Sequence, residues 1–247
     1  MGKNLFAHLA VFGANLIYGM NYTLAKGPMP DYIKPRGFIF IRVFGALAMF
    51  WLVRLLSKKY PKDKIDKKDY LRLAACGLFG VCMNQMLFFE GLFRTSEINS
   101  SIVMTSNPLM VLIMAAIIIN ERITVGKIIG IVLGAFGASM IIYTSDAASE
   151  GSSMVGDLLI LGNSASYAIY LVLVKPLMAK YKPFIVISWV FLFGSIFVLP
   201  LGVGQFSEVN WDMPPDIIGS VLFVVIGTTF FAYLLNIYGV AKLNAST

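Results

Sequence analysis

Long apolar runs separated by short polar connections set the architecture of this chain. Eight stretches, at about 5–25, 37–56, 71–93, 99–119, 126–144, 157–178, 184–204 and 217–238, are mostly apolar. Each has roughly the 20 residues that a helix needs to cross the hydrocarbon of a bilayer. Each therefore predicts one membrane-spanning helix. Gly and Pro inside the runs do not break the assignment, because membrane helices tolerate both. A ninth run begins near Leu243. The pattern predicts an all-α polytopic membrane protein.

Composition agrees. Hydrophobic residues make up 58% of the chain and charged residues 13%, too few charges to cover the surface of a soluble domain of this size. The net charge of +7 is unevenly placed. If the N-terminus is cytoplasmic, fifteen Lys and Arg fall inside, against Lys26, Lys34, Arg36 and Arg94 outside, with Arg42 within helix two. The positive-inside rule then predicts a multi-pass protein of the plasma membrane, in a bacterium the inner membrane, with a cytoplasmic N-terminus. The charge run 58–72 reads as a solvated cytoplasmic loop, so no nucleic-acid partner is expected. The first run is of spanning length, which argues against a cleavable signal.

The chemistry-bearing residues are sparse. Cys76 and Cys82 lie in one apolar segment, which argues against a disulfide framework and a metal site. His8 is the only histidine. The chain has no G-x-x-x-x-G-K-[ST] and no H-E-x-x-H. Neither ATP coupling, a cofactor, a metal nor an enzymatic reaction is expected.

Sliding the chain on itself by about 148 residues aligns two copies. Residues 14–26 fall on 163–175, Tyr18 on Tyr167, Lys26 on Lys175, Pro35 on Pro183, Gly80 on Gly227 and Gly91 on Gly239. The first copy, 1–148, holds five helices. With an odd number, the second copy, 149–247, enters the membrane from the opposite side. Two inverted five-helix repeats are an architecture of secondary transporters. By this symmetry the second copy is incomplete, and we expect a truncated chain with about eight complete helices of ten.

Polar residues inside the runs mark candidate sites, since they are costly in hydrocarbon unless they face the bundle interior. Helix one carries Asn15, Tyr18, Asn21 and Tyr22; helix six carries Asn163, Ser166, Tyr167 and Tyr170; helix eight carries Thr229, Tyr233 and Asn236. The helix-one set forms a polar patch, with Tyr18 and Tyr22 four apart and Tyr18 and Asn21 three apart, and the three-, four- and seven-residue spacings of the other two sets place each on one helical face. Two readings are open: a substrate cavity, or hydrogen bonds that hold the bundle together. The same choice stands for Asn84 and Gln85 in helix three, of which at most one faces a substrate, and for Ser106 and Asn107 in helix four. There Pro108 frees the carbonyl of Met104 or simply kinks the helix. Arg42 needs a partner, for which Glu90 is the best acidic candidate; Arg42 reads as an outer gate or a carboxylate-binding cation, or as a residue snorkelling to the outer interface with a structural ion pair. Glu90 also stands four residues from Arg94. Glu121 and Arg122 read as a helix-terminus or gate pair. Gly130, Gly134 and Ala138 permit close packing, within the chain or across a homodimer.

These residues resemble the EamA-type domain of the drug/metabolite transporter superfamily, in tandem copies. The resemblance rests on Tyr18-Gly19-Met20-Asn21 with Lys26, on Arg42, on Asn107-Pro108 followed by Glu121-Arg122-Ile123-Thr124, and on Gly227, Thr229, Ala232, Tyr233, Tyr238, Gly239 and Ala241. Tyr18 stands where the family usually has Trp. The resemblance implies ten helices, cytoplasmic termini and movement of amino acids, metabolites or drugs. The expected function is a secondary transporter carrying a small organic solute by alternating access. The competing expectations are a membrane-embedded enzyme on lipid-linked substrates and a non-transporting scaffold or channel subunit.

Overall fold

The structure is a computed structural model. It describes residues 2–29, 31–57, 65–120, 126, 129–130, 132–134, 136–137, 140 and 153–242, with only the backbone of residues 2–4, 237 and 239–242. Much of helix five and the pair Glu121 and Arg122 lie outside the described residues.

The described elements are helical. They are α1 (Gly2–Lys26), α2 (Pro35–Leu56), α3 (Lys67–Gly77), a π-helical segment π1 (Leu78–Met83), α4 (Asn84–Arg94), α5 (Glu97–Met104) and α6 (Asn107–Ile119). Further along the chain come α7 (Met154–Lys180), α8 (Pro183–Phe206), α9 (Pro215–Leu222), a second π-helical segment π2 (Phe223–Phe231) and α10 (Ala232–Lys242). Local sequence explains the ends. Pro35, Pro183 and Pro215 open their helices, where a missing N–H costs nothing. The Ser96 and Ser153 hydroxyls cap α5 and α7 by accepting from Asn99 N and Gly156 N. Asn120 closes α6 in a left-handed conformation (φ 51°).

Among the described residues, 5 helices are long and apolar enough to cross a membrane, and a sixth span forms if α5 and α6, bent by 41°, are taken together. α3, π1 and α4 form one of these spans, and α9, π2 and α10 another up to Asn236. The bend falls at Thr105-Ser106, just before Pro108, so the single helix four expected from sequence is two helices. α1 has 25 residues but is diluted by Asn4, His8, Asn15 and Asn21, which leaves it less apolar than the others. Its Leu5, Phe6, Leu9, Phe12 and Leu16 are exposed in a stripe at helical spacing. That is the face a membrane helix presents to lipid.

Packing between the two halves is reciprocal. α2 lies along α8, the pair opened by Pro35 and Pro183; α1 packs on π2 and α10, while α7 packs on π1 and α4. Such an exchange of equivalent partners is what a two-fold relation produces. The core between them is aromatic, with Phe50 meeting Phe184, Phe191 and Phe230, and within the first half Phe38 meets Phe89. Glycine lets the helices close. A Cβ on Gly77 would fall 2.6 Å from Gly194 N, so α3 and α8 touch backbone to backbone there.

Candidate functional site

π1 and π2 contain Gly80 and Gly227, the glycines that the sequence repeat aligns. A π turn bonds i to i+5, which widens the helix and displaces carbonyls from regular pairing. Here α7 supplies partners. Ser166 Oγ donates to Phe79 O at 2.7 Å, and Asn163 Nδ2 donates to Asn84 O at 2.8 Å. In π2, Thr229 Oγ1 donates to Val224 O at 2.9 Å, five residues back. Thr229 Oγ1 also accepts from Arg42 Nε on α2.

Between the π segments sits a cluster of tyrosines. Tyr18 from α1 and Tyr167 from α7 both face the side chain of Asn236 on α10. Tyr233 lies within electrostatic reach of Tyr18, Tyr167 and Tyr170, and it faces Gln85. The rings of Tyr167 and Tyr170 have centroids 6.0 Å apart. Arg42, 4% exposed, reaches Tyr18 and Tyr233, and its guanidinium lies 5.4 Å from the centre of the Phe89 ring. Tyr18 and Tyr167, aligned by the repeat, thus meet at Asn236, although α1 and α7 do not pack directly.

The other residues singled out by sequence take different places. Asn15 is exposed and does not join the inward-facing polar residues of α1, although it lies three residues before Tyr18. Tyr22 donates to Met104 Sδ at 2.8 Å, toward α5. Asn21 Oδ1, Ser106 Oγ and Asn107 Oδ1 are buried and have no hydrogen-bond partner among the described residues. Asn84 contributes its carbonyl, whereas Gln85 faces the tyrosines. Asn163 and Ser166 hold π1 through hydrogen bonds.

The expected pairing of Arg42 with Glu90 does not occur. Glu90 accepts from Arg36 Nε at 2.9 Å and from Arg94 Nη1, and these two arginines satisfy the carboxylate at the helix end. Arg42 turns instead toward π2.

Ion pairs join the halves at both ends of the bundle. At one end lie the four cations that sequence assigns to the outside. Besides the Arg36–Glu90–Arg94 group, Lys34 meets Glu208 at 2.6 Å, Arg36 N donates to Gln205 Oε1, and Lys26 Nζ donates to Thr95 O. At the other end Lys180 contacts Asp66 and Asp69, and the Tyr181 hydroxyl donates to Asp69 at 2.7 Å. Sequence reasoning missed this second latch. Its only signal is the pair of acids within a basic run.

Apolar spans packed around a buried polar centre define a multi-pass α-helical membrane protein. The EamA-like transporter family matches residues 5–143 and 154–247, and the chain belongs to that family. An uncharacterized transporter of Archaeoglobus fulgidus is 30% identical over 229 residues, 93% of this chain and 78% of that one. The uncharacterized transporter YyaM of Bacillus subtilis is 24% identical over 249 residues, 99% of this chain and 80% of its own. A protein of known crystal structure shares the fold, with a TM-score of 0.61 at 15% identity, over 95% of this chain and 80% of that one.

Proposed function

We propose that the protein is a secondary transporter that moves a small organic solute across the plasma membrane by alternating access, with its N-terminus cytoplasmic and the tyrosine cluster as its substrate site. One observation carries the reading. Polar groups from both halves, Tyr18, Arg42 and Gln85 from the first and Tyr167, Tyr233 and Asn236 from the second, converge inside the bundle. A site built at a repeat interface opens to either side when the halves rock against each other. The Lys34–Glu208 pair at one end and the Lys180 pairs with Asp66 and Asp69 at the other support this, because they span the two halves and so latch one opening each. The π segments support it too, being softer hydrogen-bonded turns placed where the spans pass the site.

The test is uptake and efflux of a panel of radiolabelled amino acids, organic acids and amines by the purified protein in proteoliposomes, with Tyr167→Ala alongside. Saturable flux of a panel member, weakened by the substitution, is the expected result. Correct insertion with no protein-dependent flux of any solute would overturn the reading.

A further inference from the structure

Among the described residues, Arg42 is the one formally charged side chain of the groups that meet in the tyrosine cluster. It lies within the span Pro35–Leu56 and is 4% exposed. A cation in that position calls for a counter-charge. Among the described residues no carboxylate lies within ion-pair distance of it. Glu90 is held by Arg36 and Arg94, and Asp157 accepts from Thr95 Oγ1 at 2.6 Å. Thr229 takes only Nε, and that hydroxyl spends its own proton on Val224 O. The Nη1 and Nη2 groups have no acceptor among the described residues.

We infer that Arg42 binds the anionic group of the solute, and that the solute is an organic anion with a carboxylate on an apolar or aromatic body. The inference rests on the transport reading above. A guanidinium with both Nη groups free offers the planar fork that matches a carboxylate in two parallel hydrogen bonds. The rings of Tyr18, Tyr167 and Tyr233 supply the apolar contact for the body, with Asn236 and Gln85 as neutral polar contacts. Charge decides among solutes. A monoanion makes the occupied site neutral. A zwitterion leaves its ammonium facing neutral oxygens and the site with a net positive charge. A cation meets Arg42 directly and is repelled, strongly so where the dielectric is low.

Three solutes with one body separate these cases: N-acetylphenylalanine, an anion; phenylalanine, a zwitterion; and phenylalanine amide, a cation. Each is radiolabelled and offered to proteoliposomes near neutral pH with the membrane potential clamped at zero. The expected result is saturable flux of the anion, faster than that of the cation by about tenfold or more, lost in Arg42→Gln and partly kept in Arg42→Lys. A thermal-shift titration in detergent covers the case where Arg42→Gln does not fold: N-acetylphenylalanine should raise the unfolding temperature of the parent and of Arg42→Lys, and the amide should not. Equal or faster flux of the amide, or flux of the anion that survives Arg42→Gln, would overturn the anion assignment and leave the transport reading standing. If none of the three moves or shifts unfolding while another panel solute is transported, the anion assignment also falls alone. If no solute moves at all, both readings fall.

Discussion

The ring of Tyr170 lies so close to Gly80 that a Cβ added to the glycine would stand 2.4 Å from Tyr170 Cδ2. One residue belongs to π1 and the other to α7, and the contact seats the tyrosine cluster against the wide turn. Gly80→Ala therefore forces the ring or the helix to move. Overpacking of this kind costs about 1–3 kcal/mol. Thermal unfolding in detergent should show a lower midpoint, partly restored in Gly80→Ala/Tyr170→Leu. Gly19→Ala, where nothing lies within 4 Å, should leave the midpoint in place.

Ser166 and Asn163 serve the carbonyls of Phe79 and Asn84. Removing either donor with Ser166→Ala or Asn163→Leu should destabilise the protein by about 1 kcal/mol, the usual net worth of such a bond and near the range for membrane interiors. Unfolding in mixed micelles of increasing denaturing detergent measures this. Unchanged stability with lost solute flux would instead place these side chains on the solute path.

The Lys180 latch predicts an accessibility change. Lys180→Gln removes its contacts with Asp66 and Asp69. If that latch closes one mouth, buried Cys76, which lies near Tyr170, should react faster with a membrane-impermeant maleimide applied from that side. No change in labelling rate would mean that the latch does not govern access.

At the opposite end, Lys34 and Glu208 are both more than half exposed. Exposed pairs contribute little and are screened by salt. Glu208→Gln should lower stability by less than about 1 kcal/mol. The small loss should shrink further as salt is raised, as read from unfolding midpoints at low and high ionic strength.

The spans were legible in sequence because hydrocarbon imposes a length and an apolar composition that local runs record. α2 was expected near 37–56 and is Pro35–Leu56; α8 was expected near 184–204 and is Pro183–Phe206. The polar faces that hold Tyr18, Tyr167 and Tyr233 were legible because polar residues in a membrane helix favour the bundle interior, a preference that exposed Asn15 does not follow. Other features had no such record. The partner of Arg42 was sought among acids, but it is Thr229, 187 residues away in the other half. The backbone contact of Gly77 with Gly194 is equally non-local. The π segments carry no compositional mark at all. What holds π1 is Tyr170, Ser166 and Asn163 reaching in from a different helix.

Those two wide turns have a consequence for phase. Each residue added to a helix advances the next side chain by about 100°, and a π turn spends about one residue more than an α turn over the same rise. Deleting one residue from π2 would tighten it toward ordinary winding over the same turn and leave Tyr233 and Asn236 near their present phase, whereas deleting one from an ordinary α turn would swing the residues beyond it by about 100°. The same deletion in π1 would leave Gln85 facing Tyr233. Each half of the chain thus carries a wide turn that takes up a change in length without disturbing the angular registry of the polar side chains beyond it.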